Sequence, residues 1–530
     1  MWQQLSLYRT RHLLQTSLIR RGTRRWLSTT QLDPSIREFT AELAKTQPVF
    51  QIPPSSIRIL REPAQFYDLL LDMINSAERR IFLSSLYIGA DEAELVRALS
   101  RRLREKPDLK LDLLLDLNRS TRPGKDSTAR LLLPLLREHP SRVSVSMFRS
   151  PNLRGILAKL VPPRFNEGWG TWHAKIYGAD DDVMISGANL NKSYFTDRQD
   201  RYIHFSKQTT VAQYCYDFMQ TVTNFSYKLL PEMPHPDNTH TYSEEDYTLY
   251  WPIPDTHPHH FNALAETAFS DFQKRHRKQS PQLTNASEPL DPPTVLVSPI
   301  IQGGQFNVRE EESVFQLLFR HLSKTVGRPY MDLTSGYFSL YKPYQDLVLK
   351  ALNLRCNIIV ASPKANGFYG SKGISGRIPE GYTLYEKRFM NAVSKAGRLW
   401  NKSNDGDADR GVSLNEWEKA GWTYHAKGVW LSPNSSSPPI LTLFGSTNLN
   451  SRSAHIDTEL SFLMVIPSEG ILKSAGSDNG GSTGSEVLSL RQELAREIEN
   501  LRSNATEWKG ADRPVRWTTK LIVRLVKGML

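Results

Sequence analysis

Two short runs carry a histidine and a lysine two residues apart, Thr171-Trp-His-Ala-Lys-Ile-Tyr-Gly and Thr423-Tyr-His-Ala-Lys-Gly-Val-Trp. In extended backbone, residues i and i+2 share a face, so His173 and Lys175 point the same way, as do His425 and Lys427. Each run is followed by a turn containing an asparagine, Asn189 in Ser186-Gly-Ala-Asn-Leu-Asn and Asn448 in Gly445-Ser-Thr-Asn-Leu-Asn. Eleven residues beyond each asparagine stands an acid, Asp200 or Glu459. Two imidazoles with two ammonium groups suit a phosphodiester. The lysines and asparagines can hold nonbridging oxygens, a neutral histidine can attack phosphorus, and a protonated one can serve the leaving group. Carboxylates orient imidazoles in such sites, so Asp200 and Glu459 are each expected to bond the histidine of their own half. Since these side chains can answer the phosphoryl charge, neither a metal nor a cofactor is expected.

The repetition reaches the elements that must position these residues. Ile81-Phe-Leu-Ser-Ser-Leu-Tyr-Ile-Gly aligns with Met331-Asp-Leu-Thr-Ser-Gly-Tyr-Phe, and the apolar run Leu111 to Leu117 has a counterpart in Asn357 to Ala361. The offset is 252 residues between the histidines and 250 between Ser85 and Ser335, and agreement at separate places is what a tandem duplication leaves. Strand-like runs alternate with helix-like ones such as Asp91 to Glu105, which predicts α/β layers, two halves of helix-covered sheet sharing one site. The expected divisions are a first half over 50–229, a Pro- and His-containing connection over 230–295 and a second half over 296–470. A Gly- and Ser-rich flexible loop over 471–487 and C-terminal helices over 488–530 follow.

His173-x-Lys175-x4-Asp180 with the following Ser-Gly-Ala-Asn-Leu-Asn resembles the HxKx4D signature of the phospholipase D superfamily, whose members commonly carry two copies related by a pseudo-twofold axis. Residues Ser186 to Tyr202, Leu333 to Phe338 and Gly421 to Leu431 are similar to the mitochondrial phosphatidylglycerophosphate synthase branch of that superfamily. The similarity covers most of residues 50 to 465. The resemblance implies transfer of a phosphatidyl group from CDP-diacylglycerol to glycerol 3-phosphate, releasing CMP, by way of a phosphatidyl-histidine, on the route to cardiolipin. Its catalytic set would be His173, Lys175, Asp180, His425 and Lys427. Asn189, Asn448, Asp200 and Glu459 would bind phosphate and orient. For the acceptor's own phosphate Arg119, Arg122, Arg198 and Arg201 are candidates.

One departure bears on roles. The second motif has Ser432 where the Asp would fall, and seven extra residues separate His425 from Asn448 relative to His173 and Asn189. By analogy the complete first half supplies the nucleophile, His173, and His425 the general acid and base, which predicts a bell-shaped pH profile. Rival readings are the same chemistry on another acceptor, as in phosphatidylserine or cardiolipin synthases, or a mitochondrial nucleic-acid phosphodiesterase. A non-catalytic scaffold is disfavoured by intact His and Lys pairs in both halves.

The 530 residues carry 67 Lys and Arg against 55 Asp and Glu, a net charge of +12. Six of those arginines (Arg9, Arg11, Arg20, Arg21, Arg24, Arg25) lie before the first carboxylate, Asp33, the pattern of a mitochondrial presequence over residues 1–32. Arg513, Arg516, Lys520, Arg524 and Lys527 fall on one face of a helix whose remainder is apolar, which predicts a segment lying on an anionic membrane surface. The expected location is therefore the mitochondrion, and the resemblance implies a peripheral position on the inner membrane with no nucleic-acid partner. Two cysteines, Cys215 and Cys356, exclude a disulfide framework. Asp405-x-Asp407-x-Asp409 resembles part of an EF-hand loop, but Arg410 stands where that loop needs glycine. His257-x-His259-His260 reads as linker.

Overall fold

The computed structural model describes residues 26–124, 127–163, 165–231, 240–280, 282–284, 294–400, 410–468 and 481–525. The arginine-rich stretch 1–25, Asp405 to Asp409, residues 471–480 and the last five residues lie outside this set.

Two large sheets repeat one strand order. In the first, Ile57–Leu60, Tyr202–Phe205, Asp182–Ser186, Ile176–Ala179, Arg80–Ser84, Lys110–Asp116, Val143–Phe148 and Tyr227–Pro231 lie side by side. The second runs Val295–Gly303, Glu459–Val465, Leu441–Gly445, Lys427–Ser432, Tyr330–Ser335, Arg355–Ala361, Gly411–Trp417 and Ala505–Glu507. Pairing sense repeats too. The three strands Arg80–Ser84, Lys110–Asp116 and Val143–Phe148 are mutually parallel, as are Tyr330–Ser335, Arg355–Ala361 and Gly411–Trp417. Each parallel trio is flanked by an antiparallel hairpin that carries the His-Lys motif at its start. Parallel strands buried on both faces read as continuous apolar runs, which is why Leu111, Leu113, Leu114 and Leu115 are all buried. The crossover helix Ala93–Glu105 buries Leu95, Ala98, Leu99 and Leu103 at helical spacing and ends on Arg102 and Arg104, favourable at the negative helix terminus.

The chain laces the halves together in ways its linear order does not announce. Helix Pro34–Thr46 buries Ile36, Phe39 and Leu43 against Val314, Phe315 and Leu318 of helix Glu310–Leu322, and strand Phe50–Ile52 pairs with Val295–Val297. This early segment therefore belongs to the second sheet. The connection after residue 230 is more ordered than its composition predicts: strand Tyr247–Tyr250 extends the first sheet, and helix Asn262–Gln279 buries Phe269 and Phe272 against Phe218. Likewise a helix spans Gly481–Arg502, so it takes in the end of the expected flexible loop. Its Glu497 accepts two hydrogen bonds at 2.9 Å from Arg201 and one at 2.8 Å from Trp430. Between the sheets, Phe205 of the first meets Phe444 and Phe462 of the second.

Candidate active site

Backbone exchange between the halves brings the two motifs together. The amide of His173 donates to the carbonyl of Thr458 at 3.0 Å, and that of His425 to the carbonyl of Gln199 at 2.8 Å. Thr458 and Gln199 each precede an acid. The outcome corrects the expectation that each acid serves its own half. His173 Nδ1 lies 2.8 Å from Glu459, and His425 Nδ1 lies 2.6 Å from Asp200. Because each motif starts beside the other half's acid strand, the carboxylate within reach is the foreign one. With Nδ1–H given to a carboxylate, Nε2 keeps the lone pair and faces the reactants.

All six of these groups are buried. Burial lowers the proton affinity of His173, helped by Lys175 and opposed by Glu459. Burial and then the Lys427 ammonium, whose Nζ is 2.8 Å from Nδ1, push His425 down to about 3. Burial also brings Lys175 down to about 7. Burial alone would raise Asp200 and Glu459, but Lys427 and the hydrogen-bonded His425 at Asp200, and the hydrogen-bonded His173 with Lys175 at Glu459, outweigh it and hold both below the usual carboxylate range. Near neutral pH the site thus holds two neutral imidazoles, each on a charged carboxylate. Gly187 has no room for a side chain, since a Cβ would stand 2.5 Å from Asp200 Oδ1 and 2.6 Å from Lys427 Nζ.

Beyond the shared plan the two histidines differ. Tyr194, which sequence reasoning passed over, places its hydroxyl 3.3 Å from His425 Nε2 and takes a 3.1 Å hydrogen bond from Asn189 Nδ2. The corresponding second-half residue is Ser453, which turns to Glu459 at 2.6 Å. Nε2 of His173 meets no hydrogen-bond partner among the described residues. The asparagines diverge as well. Asn189 is engaged by Tyr194 and by the Leu86 amide, whereas the side-chain oxygen of buried Asn448 has no partner among the described residues.

Two expected site residues stand elsewhere. Asp180 is no part of the cluster: it accepts hydrogen bonds from the amides of Glu78, Arg79 and Arg80 at 2.7, 2.8 and 3.0 Å, tying the turn to the start of strand Arg80–Ser84. The second half has Pro329, with no N–H, in the place of Arg79, so one donor for such an acid is missing there. Arg201 is not a substrate ligand either. It is 2% exposed, paired with Glu497 and stacked 3.7 Å over Trp430, and it donates to Leu443 O and Thr442 Oγ1. Of the other arginines, Arg122 is paired with Glu167, and Arg119 lies over Tyr87 with Glu167 at 3.9 Å. Arg198 stacks on Tyr194 beside the cluster.

Two crossed histidine–carboxylate pairs, each with a lysine, stand at the junction of two like sheets, a phospholipase D-like fold. The solved phosphatidylserine synthase of Haemophilus influenzae Rd KW20 shares this fold with a TM-score of 0.62 at 19% identity, covering 93% of this chain and 99% of that one. No protein-family model matches the chain. By sequence it is 35% identical over 449 residues to a probable CDP-diacylglycerol--glycerol-3-phosphate 3-phosphatidyltransferase of Dictyostelium discoideum, covering 82% of this chain and 73% of the relative. It is 33% identical over 505 residues to the enzyme of that name described as mitochondrial from Gallus gallus (91% and 85% covered), and 35% over 458 residues to the CDP-diacylglycerol--glycerol-3-phosphate 3-phosphatidyltransferase of Schizosaccharomyces pombe (80% and 87%). The chain belongs to the CDP-diacylglycerol--glycerol-3-phosphate 3-phosphatidyltransferase family.

Proposed function

We propose that this protein transfers the phosphatidyl group of CDP-diacylglycerol to glycerol 3-phosphate through a covalent phosphatidyl-histidine, giving phosphatidylglycerophosphate and CMP. The observation that carries the mechanism is the crossed pairing, His173 with Glu459 and His425 with Asp200. His173 attacks the phosphorus that bears diacylglycerol. Its Nε2 is open while its Nδ1–H is held by a charged acid that stabilises the imidazolium as the P–N bond forms. Lys175, Lys427 and the amides of Asn189 and Asn448 offset charge on the phosphoryl oxygens. CMP leaves as a phosphate monoester, whose second pKa is about 6, so its departure demands little protonation near neutral pH. The heavier duty of His425 then falls in the second step, where its neutral Nε2 takes the proton of the glycerol 3-phosphate hydroxyl as that oxygen displaces His173. The negative charges of the bound acceptor phosphate and of the phosphatidyl-histidine raise the proton affinity of His425 toward a useful value.

The same reading places the protein in the mitochondrion, on an anionic face of the inner membrane. Helix Trp517–Leu525 docks on helix Ile378–Lys395 through Thr519 and Val523 while leaving Trp517 (74%), Leu521 (50%) and Leu525 (76%) exposed, with Lys520 and Arg524 exposed beside them. Arg513 and Arg516 are instead paired with Glu416 and Glu380, so among the described residues the outward contact is an apolar stripe flanked by Lys520 and Arg524; Lys527, the fifth member of the expected basic face, lies outside the described residues. No described helix is long and apolar enough to cross a membrane.

The test is CMP release from CDP-diacylglycerol in mixed micelles with glycerol 3-phosphate, serine or phosphatidylglycerol as acceptor. Release dependent on glycerol 3-phosphate is expected; dependence on either of the others overturns the acceptor. Removing residues 513–530 should abolish sedimentation with vesicles rich in phosphatidylglycerol, and undiminished sedimentation would refute the membrane contact.

A further inference from the structure

Arg198 is the one candidate acceptor ligand without a carboxylate partner among the described residues. It is part-buried, and its position is fixed on two sides: Nε donates to Thr423 Oγ1 at 2.9 Å, and its guanidinium carbon lies 4.6 Å from the Tyr194 ring centre. A cation held this way, out of bulk water and unanswered by an anion, is costly unless a ligand supplies the negative charge. Its surroundings point toward the chemistry. Tyr194 is the residue whose hydroxyl meets His425 Nε2, and the Tyr337 ring lies 5.3 Å from the His425 ring. The strand segment Arg198–Gln199 pairs with Thr423–Tyr424, which runs directly into His425.

Gly367 closes the arrangement. A Cβ there would come 3.2 Å from Arg198 Nη2 and 3.3 Å from Tyr337 Oη, so the absent side chain leaves a small gap bordered by a guanidinium and a phenol. Two donors converging on a space beside the proposed base are what a tetrahedral oxyanion needs, and a guanidinium can meet two of its oxygens at once.

We propose that Arg198 and Tyr337, across the gap kept open by Gly367, bind the phosphate of the acceptor and so turn its hydroxyl toward His425. This rests on the transfer reaction above and adds what distinguishes the acceptor: a small alcohol bearing a dianionic phosphate, in preference to the same alcohol without one. Tyr194 links binding to chemistry, because it carries the guanidinium on its ring and the imidazole on its hydroxyl.

The experiment measures steady-state kinetics of full-length protein with glycerol 3-phosphate and with glycerol, varying CDP-diacylglycerol separately. For Arg198→Gln the KM for glycerol 3-phosphate should rise on the order of 30- to 100-fold, the scale of a lost charge-assisted pair, the preference for glycerol 3-phosphate over glycerol in kcat/KM should fall by a similar factor, and the KM for CDP-diacylglycerol should hold. Gly367→Ala, which fills the gap while leaving the charge, should raise the same KM. A rise in the KM for CDP-diacylglycerol instead would assign Arg198 to the donor diphosphate, and an unchanged KM for glycerol 3-phosphate in both variants would refute the subsite. Failure of the wild-type protein to use glycerol 3-phosphate at all would overturn the transfer reaction itself, a result distinct from either. Thermal melts of both variants separate misfolding from these outcomes.

Discussion

The two halves hold the same pair of side chains in different company. His173 sits with Glu459 on one nitrogen and no hydrogen-bond partner among the described residues at the other. His425 has Asp200 and Lys427 crowded at Nδ1 and the Tyr194 hydroxyl at Nε2. The repeated strand order places two like histidines, and their neighbours make them unequal. The Asp present in one motif and absent from the other plays no part in this, because Asp180 lies on the amides of residues 78–80, outside the cluster. The assignment of His173 as nucleophile therefore no longer leans on which motif is complete. It leans on which imidazole has a free lone pair.

Replacing each histidine gives the sharpest test. His173→Ala should abolish both turnover and radiolabelled phosphatidyl-protein, a loss of at least roughly 10⁴-fold. His425→Ala should lose comparable turnover yet accumulate label, because the first step survives and the acceptor is not activated. Label that persists in His173→Ala and vanishes in His425→Ala would exchange the two roles. One tier lower, Glu459→Gln and Asp200→Asn leave the shapes intact but weaken the hold on tautomer and charge, and each should cost on the order of 10²- to 10⁴-fold in kcat. Glu459→Gln should slow formation of the labelled protein, and Asp200→Asn its decay. If each acid served its own half, these effects would be reversed.

How much of this the sequence could reveal follows from what it encodes locally. The spacing of His173 to Lys175 and of Asn189 to Asp200 fixes which residues belong to a motif, and the sheets do repeat strand for strand where the offsets agree. Which acid meets which histidine depends on how two sheets face each other, and no one-dimensional spacing carries that. Tyr194 was passed over for the same reason: its first-half neighbour Asn189 is near in sequence, whereas its target His425 arrives from the other half. Arg201 misled because a buried arginine and a ligand-binding one look alike until Glu497, nearly three hundred residues later, is seen to pair with it. The segment after residue 230 looked irregular because its helix, Asn262–Gln279, is strongly polar on its exposed side and its Pro and His residues cluster just ahead of it.

The pH profile tests the electrostatic side of the contrast. Lys175, brought down to about 7 by burial, loses its ammonium as pH rises through that value, so kcat/KM should fall on the alkaline side. His173 and His425 are both depressed, so both stay neutral at pH 7, and the acid limb should lie below the ordinary imidazole value of about 6.5. The bell is thus retained, but its alkaline limb belongs to a lysine. Lys175→Arg, whose guanidinium does not titrate in this range, should remove that limb while lowering the plateau; a limb that stays in place would return it to a histidine. Smaller still, Tyr194→Phe removes one hydrogen bond to His425 and should reduce kcat by roughly 3- to 10-fold, the scale of about 1 kcal/mol.

Asp180 should affect activity least, and the physical reasons are specific. It occupies a left-handed conformation, φ 53°, which Asp and Asn tolerate better than Ala, and its carboxylate gathers three amides at the mouth of the strand leading to Ser84 and Ser85. Asp180→Ala should lose those acceptors and adopt a strained backbone, costing about 1–3 kcal/mol of stability in denaturant titration. Asp180→Asn, which keeps the backbone tolerance and one carbonyl oxygen, should cost less. Both should retain wild-type kcat and KM at temperatures where they remain folded, because no atom of Asp180 touches the histidines or lysines. A folded Asp180→Asn enzyme with kcat reduced more than about tenfold, well beyond one weak hydrogen bond, would restore meaning to the serine at 432 and reopen the origin of the asymmetry.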